Sequence, residues 1–266
     1  MSVILETKGL EKTFDAVVAA HNINISIDAA EVIGVIGSNG AGKTTFVNMV
    51  TGYLTPSSGE ILFQGKDIAG LPTREITQMG ICRSFQIPQL FPELTVLDNL
   101  LIALTIANRG RKGWLTPAVD EALTDKAMQI LARFKIEEHA DKLITTLAQG
   151  VRKLVDIAMA TVPEPSLLFL DEPTSGVSAE EKMSFMATLI DALQATDTAV
   201  LFIEHDMELI EAFAPRCIAF YEGTILADGD TAGVLDDAKV REFVIGSEFH
   251  RKATPDVADI REQAKG

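Results

Sequence analysis

Cysteine, tryptophan and basic residues are scarce in this 266-residue sequence. The two cysteines, Cys82 and Cys217, lie far apart, with no CxxC pair and no histidine at zinc-ligand spacing, which excludes a disulfide framework and a zinc site. We therefore expect two reduced thiols in the core. The 23 basic residues are outnumbered by 38 acidic ones. The resulting charge of −15 argues against a general nucleic-acid-binding protein, because it repels phosphate backbones.

Long hydrophobic runs are also missing. Near the N-terminus, Glu6 and Lys8 interrupt the apolar residues before a signal-peptide core can form, so we expect no secretion signal. The most apolar later stretch is VLDNLLIALTIA at residues 96–107, well short of the about 20 residues that cross a bilayer. We expect a soluble chain, which leaves docking on a membrane protein open.

Apolar residues are nevertheless abundant enough for a large core, at 47% of the chain. At this length we expect one domain with a subdomain or an insertion. Short apolar or alternating segments at residues 3–5, 22–27 and 61–63 predict a small antiparallel sheet near the N-terminus.

Later segments predict a parallel sheet with helices between its strands. The runs at residues 31–37, 167–171 and 199–205 are apolar and end in glycine, acidic residues or histidine, which is typical of strands buried on both faces. Two short strands about Glu222 and Gly223 predict a hairpin. Helical spacing predicts helices at residues 95–107, 119–134 and 179–193.

A glycine-rich turn follows the first of these buried strands. The segment GSNGAGKT, residues 37–44, matches the phosphate-loop pattern G-x-x-x-x-G-K-[ST] between a predicted strand and a predicted helix. Its glycines let backbone N–H groups close around phosphate oxygens, and the helix N-terminus adds the positive end of a dipole. We expect Lys43 to reach the β- and γ-phosphates and the Thr44 hydroxyl to bind Mg²⁺.

Acidic and imidazole side chains follow the neighbouring strands. Asp171 ends one strand and is predicted to be the carboxylate ligand of Mg²⁺, because strand ends of an α/β sheet meet the ligand crevice. Glu172 comes next, and we predict that it orients or deprotonates the attacking water. His205 ends the following predicted strand at the same sheet edge, within reach of the γ-phosphate.

Six ordered motifs resemble those of the nucleotide-binding subunits of ABC transporters. They are GSNGAGKT, SFQ at residues 84–86, LAQG at residues 147–150, LLFLDEP, TSGVS and IEHD. The resemblance runs from about residue 5 to residue 246. The segments MGICRSFQIPQLFPELTVLDNLLIA and VREFVIGS are most similar to the branched-chain amino-acid uptake branch. The urea and amide importers and the lipopolysaccharide-export ATPase are similar as well.

The resemblance implies an α/β fold, a P-loop NTPase of the ABC type. Such a domain has a RecA-like core, an N-terminal antiparallel β subdomain and an inserted helical subdomain. We expect the domain to cover residues 1–250, with the core at 1–86 and 161–250 and the helical subdomain at 87–160. Residues 251–266 are expected to form a polar tail.

The resemblance also implies further site residues. Phe14 lies where the family stacks an aromatic ring on adenine, and Gln86 lies where a glutamine senses Mg²⁺ and the attacking water. Residues 87–99 then face the coupling helix of a membrane subunit. The complete predicted set is Lys43, Gln86, Glu172 and His205 for catalysis; Phe14, Gly37, Ser38, Asn39, Gly40, Ala41, Gly42, Lys43, Thr44, Thr45, Ala148 and Gly150 for ATP; and Thr44, Gln86 and Asp171 for Mg²⁺.

Two positions depart from the family pattern. The family's signature, commonly LSGGQ, binds the γ-phosphate of the nucleotide held by the opposite subunit, and Ala148 replaces its serine here. The missing hydroxyl removes one hydrogen bond to a charged group, about 1.5–3 kcal/mol, while Gly150 and the helix dipole remain. Ser178 stands where the family often has aspartate, in a loop that crosses the dimer interface. We still expect an active protein.

The resemblance implies ATP hydrolysis that energises an importer of branched-chain amino acids or related small amide or acid solutes. The implied partners are permease subunits, a second identical or related nucleotide-binding subunit and a separate solute-binding protein, without nucleic acid. The implied location is the cytoplasmic face of the inner membrane.

Other functions stay open beside this one. The first is an ATPase of lipid or lipopolysaccharide export. The second is an ABC protein that acts on ribosomes or DNA, which the acidity and the lack of a long coiled coil disfavour. A GTPase switch is disfavoured because the sequence has no NKxD motif. The basic connector at residues 108–117 is either a solvated loop or a contact with lipid headgroups or a partner.

Overall fold

The computed structural model describes residues 2–84, 90–108 and 121–246. The predictions for Gln86, for most of the connector at 108–117 and for the tail at 251–266 lie outside the described residues. The strands are β1 (Val3–Phe14), β2 (Val17–Asp28), β3 (Val32–Ile36), β4 (Ser58–Phe63), β5 (Lys66–Asp67), β6 (Ile81–Arg83), β7 (Leu167–Asp171), β8 (Ala199–Ile203), β9 (Arg216–Tyr221) and β10 (Thr224–Asp230). The helices are α1 (Lys43–Val50), α2 (Thr73–Met79), α3 (Val96–Asn108), α4 (Glu121–Arg133), α5 (Gln149–Ala160), α6 (Lys182–Gln194), α7 (Met207–Phe213), α8 (Thr231–Asp236) and α9 (Ala238–Val240).

The predicted antiparallel sheet is present, with longer strands than the sequence indicated. Its order is β2-β1-β4-β5, and β1 pairs along most of its length with β2. Ile23, Ile25 and Ile27 alternate with exposed residues on β2, so one face of the sheet packs on the core and the other meets solvent.

The second sheet has the order β10-β9-β3-β8-β7-β6. All its neighbouring strands are parallel except β9 and β10. Every residue of β3 and β8 is buried, as expected for central strands covered on both faces. The three-residue edge strand β6 has no clear sequence signal and was not predicted. The fold is therefore α/β, and the carboxyl ends of the parallel strands lie at one edge of this sheet.

Three local predictions can be compared with the structure. The hairpin is confirmed: Glu222 and Gly223 both have positive φ, 45° and 77°, as a tight turn between β9 and β10 requires. The third apolar strand ends at Ile203 rather than at His205, and the side chain of the next residue, Glu204, turns into the protein toward Thr174. The helix predicted from residue 179 begins only at Lys182, after a turn in which the Ser178 carbonyl accepts from two N–H groups.

The helices between β6 and β7 pack on one another. Thr95 and Asp98 form a capping box at the start of α3: the Asp98 N–H donates to the Thr95 hydroxyl at 3.1 Å, and the Thr95 N–H donates to the Asp98 carboxylate at 3.2 Å. Leu100 and Leu104 of α3 are buried, as is Leu131 of α4. Within the described part of the chain, no helix has the length and apolar character needed to cross a membrane.

Candidate nucleotide-binding site

The glycine-rich loop lies between β3 and α1, as the sequence predicted. Gly42 caps α1 with φ of 101°, a left-handed conformation that suits glycine. A Cβ atom there would lie 2.9 Å from the Ala19 carbonyl oxygen, so the loop needs glycine for close approach to β2 as well. Gly40 also has positive φ, 81°, and faces open space. The loop thus leaves room for a ligand beside the N-terminus of α1.

Lys43 is a buried cation, 7% exposed, held under this loop. Its Nζ donates to the carbonyl oxygens of Gly37 at 2.5 Å and Ser38 at 3.0 Å. Burial lowers the pKa of Lys43, and the nearby charges of Glu172 and Asp171 partly oppose this effect. Among the described residues, no carboxylate forms a direct ion pair with Lys43. A buried cation bonded only to neutral carbonyls suits an anionic ligand such as phosphate.

Glu172 and His205 meet at the carboxyl ends of β7 and β8. The Glu172 Oε1 lies 3.1 Å from the His205 Nε2, and both side chains are partly exposed. The Glu172 N–H donates to the Ile203 carbonyl at 3.0 Å, which ties the two loops together. Glu172 also has φ of 47°, a left-handed conformation that costs a non-glycine residue about 1–2 kcal/mol. Such strain is common where a side chain must face a site.

The loop, the acids and the histidine share one pocket of about 170 Å³. A larger cavity of about 630 Å³ adjoins it and includes Gly37, Ser38, Glu204 and His205 in its lining. The smaller pocket is lined by Asn39, Gly40, Ala41, Gly42, Lys43, Thr44, Thr45, Asp171, Glu172, Ile203 and His205. The structure therefore brings the predicted phosphate-loop, acidic and imidazole residues together.

Arg83 is a charged neighbour of the site that the sequence analysis missed. Its NH2 group donates to Asp171 Oδ2 at 2.8 Å, and its NH1 group donates to Asn48 Oδ1 on α1 at 2.6 Å. The Arg83 and Asp171 side chains are only 12% and 15% exposed. The one available signal was an arginine at the end of a short apolar segment, ICR, in an acidic chain.

The donor set fits a magnesium ion that is brought in by a nucleotide. Thr44 and Asp171 line the same pocket, and Mg²⁺ prefers oxygen ligands. In the described ranges, no group of three or more histidine, cysteine, aspartate or glutamate side chains is arranged to hold a metal. Phosphate oxygens and water must therefore complete the coordination shell of any ion here.

Among the described residues, three predicted site residues line neither this pocket nor the larger cavity. Phe14, at the end of β1, is 46% exposed, and Lys12 Nζ lies 5.1 Å from its ring centroid. Ala148 and Gly150 lie at the start of α5 and do not line the pocket either. The Gln149 side chain packs on the backbone of Gly176, so the LAQG and TSGVS segments are in contact.

Comparison with known proteins identifies the family. The family described as ABC transporter matches residues 20–175. The probable branched-chain amino acid transport ATP-binding protein LivG of Archaeoglobus fulgidus is 34% identical, over 92% of this chain and 96% of its own length. The high-affinity branched-chain amino acid transport ATP-binding protein LivG of Escherichia coli is 35% identical, over 91% and 98%.

Solved structures have the same fold. The ADP conformation of an ATP-binding cassette of an ABC transporter superposes with a TM-score of 0.81 at 31% identity and covers 91% of this chain and 98% of that one. A nucleotide-free ATP-binding cassette from an ABC transporter gives 0.79 at 30% identity, with the same coverage.

Proposed function

The chain belongs to the ABC transporter family as an ATP-binding, ATP-hydrolysing member, and on that premise we propose that it energises the uptake of branched-chain amino acids or related small amide or acid solutes. The observation that carries the proposal is the Glu172–His205 contact of 3.1 Å in the pocket that also contains Lys43 and Asp171. This arrangement supports the assignment of Glu172 as the base, His205 as the orienting group and Lys43 as the phosphate-binding cation.

Nucleotide binding begins with the phosphates. The backbone N–H groups at the start of α1 and the Lys43 ammonium attract the β- and γ-phosphates, because the helix dipole and the buried cation act on the same point. Phe14 stacks on adenine. When bound, Mg²⁺ neutralises phosphate charge, and Thr44, Asp171 and Gln86 are the residues that hold it.

Hydrolysis then depends on Glu172 and His205. The Glu172 carboxylate accepts a proton from the attacking water and orients it toward the γ-phosphate. His205 fixes the Glu172 carboxylate through the 3.1 Å contact, and it is close enough to the phosphate loop to contact the γ-phosphate as well. General bases of this kind contribute about 10²–10⁴-fold to rates.

A second cassette, identical or related, completes the site. In the proposed assembly, Ala148, Gly150 and the α5 N-terminus contact the nucleotide held by that partner. Although Ala148 has no hydroxyl, the 12-residue helix α5 keeps its N-terminal N–H groups and its dipole. The contact between Gln149 and the TSGVS segment transmits structural changes at the subunit interface from one of these two motifs to the other.

The transport path is proposed to connect through the segment after Gln86. Within its described part, Asn99 is fully buried and accepts from the Phe91 N–H at 2.8 Å, and it also donates to the Phe91 carbonyl. These bonds fix a loop that presents Phe91, 48% exposed, to a permease subunit. We assign residues 1–86 and 161–250 to the core, 87–160 to the helical subdomain and 251–266 to a polar tail. The complex lies at the cytoplasmic face of the inner membrane with a solute-binding protein and without nucleic acid.

Replacement of Glu172 in the source cells tests this proposal. Cells that carry Glu172→Gln are expected to lose uptake of labelled leucine, whereas Glu60→Gln, at an exposed position on β4, keeps it. Glucose uptake in both strains controls for general energy supply. Unchanged leucine uptake by the Glu172→Gln strain, with ATPase activity lost in the purified protein, would refute the proposed cargo and leave the ATPase assignment in place.

A further inference from the structure

Glu204 is a carboxylate buried between the loops that carry Glu172 and His205. Its Oε1 accepts from the Thr174 N–H at 2.9 Å and from the Thr174 hydroxyl at 2.7 Å, and its Oε2 accepts from the His205 N–H at 3.3 Å. Glu204 is 5% exposed and Thr174 only 1%. One buried side chain therefore joins the loop after β7 to the loop after β8.

Burial of the Glu204 carboxylate would be energetically costly without its hydrogen bonds. Burial of a charge is strongly unfavourable without partners, and an apolar residue fills such space at lower cost. Glu204 does not line the pocket that contains Lys43 and Glu172, so it acts there only through neighbours. Those neighbours adjoin the proposed catalytic pair: Thr174 lies two positions after Glu172, and His205 directly follows Glu204.

The charge of Glu204 is also matched from within the core. Lys153 of α5 is 2% exposed. Burial lowers the pKa of Lys153, while the charges of Asp156, Glu204, Glu172 and Asp171 oppose this effect. The Lys153 ammonium therefore interacts electrostatically with the Glu204 carboxylate inside the protein.

We propose that Glu204 is a positioning residue for hydrolysis: by holding the Thr174 and His205 backbones, it fixes the separation of the Glu172 and His205 side chains. The kinetic part of this inference rests on the proposed function. The geometric part rests only on the hydrogen bonds described above.

Matched threonine variants test the inference. Thr174→Val keeps the shape of the side chain and removes the hydroxyl that donates to Glu204, and Thr174→Ser restores a hydroxyl. Thr161→Val is the control, because the buried Thr161 hydroxyl donates only to the Ala158 carbonyl of its own helix end, at 2.7 Å. Glu204→Gln is a second probe, since its amide leaves one of the present donors without an acceptor.

Two readouts separate positioning from general damage. In Thr174→Val, kcat for ATP is expected to fall about tenfold while KM changes less than about twofold, and Thr174→Ser is expected to recover most of the rate. The second readout is the imidazole NMR signal of His205 in nucleotide-free protein, assigned with His205→Asn. We expect this signal to move in Thr174→Val and Glu204→Gln and to stay in place in Thr161→Val.

The outcomes distinguish this inference from the proposed function. If wild-type protein hydrolyses ATP and Thr174→Val matches it in both kcat and the His205 signal, the positioning role is refuted and the ATPase assignment stands. If wild-type protein has no ATPase activity, the proposed function fails, and the His205 signal still decides the geometric part. Equal loss of rate in Thr161→Val and Thr174→Val would also refute the positioning role.

Discussion

Replacement of Arg83 by methionine should destabilise the folded protein far more than removal of a surface lysine with similar ion-pair geometry. Arg83 donates to Asp171 at 2.8 Å and to Asn48 at 2.6 Å, and its guanidinium carbon lies 6.0 Å from the Tyr53 ring centroid. Methionine fills much of the same space without a charge. The variant therefore removes the partner and leaves the Asp171 carboxylate in place.

The magnitude follows from burial. Arg83 and Asp171 are 12% and 15% exposed, and loss of one member of a buried pair costs about 3–5 kcal/mol. The ion pair between Lys126 and Glu164 is as short, at 2.7 Å, but its side chains are 42% and 72% exposed. Surface pairs contribute about 0–1 kcal/mol. We expect a loss of about 3 kcal/mol for Arg83→Met and less than about 1 kcal/mol for Lys126→Met.

Urea unfolding of nucleotide-free protein measures both losses, by linear extrapolation to water. A double-mutant cycle of Arg83→Met and Asp171→Asn isolates the pairwise energy, which we expect to exceed about 1 kcal/mol. Similar losses for the Arg83 and Lys126 variants, or a coupling energy near zero, would refute the reasoning that burial makes this ion pair important.

Two further predictions concern buried ionisable groups. Lys43→Met should abolish ATP binding in calorimetry. Burial lowers the pKa of Lys43 below 10.5, so the folded state loses this proton at a lower pH than the unfolded state does. The stability of the wild type relative to Lys43→Met should therefore rise as the pH increases toward 10.5. A constant difference in stability between the two proteins in urea unfolding would contradict this. Burial raises the pKa of Cys82 to about 11 and that of Cys217 to about 12, so neither thiol should react with a thiol reagent at about pH 8 until the protein unfolds, and rapid labelling of folded protein would show that the core is open.

Local patterns at strand ends made much of the site predictable. The phosphate loop, Asp171 and Glu172 were found because a short pattern and a buried strand fix their places at one sheet edge. The Arg83–Asp171 pair was not predictable, since it joins residues 88 positions apart through β6, whose three residues carry no periodicity. The structure ends β8 at Ile203 rather than at the predicted His205, and the bond from the Thr174 N–H to Glu204 was not predictable, because it joins residues 30 positions apart.

Phosphate release by purified protein tests the central claim most directly, namely that Glu172, oriented by His205, is the base for ATP hydrolysis. The measurement compares wild type, Glu172→Gln and the exposed control Glu60→Gln at saturating Mg-ATP, with ATP affinity measured in parallel. We predict that Glu172→Gln binds ATP within about twofold of wild type and loses at least about a hundredfold in rate, while Glu60→Gln is unchanged. A Glu172→Gln rate equal to that of wild type would contradict the account.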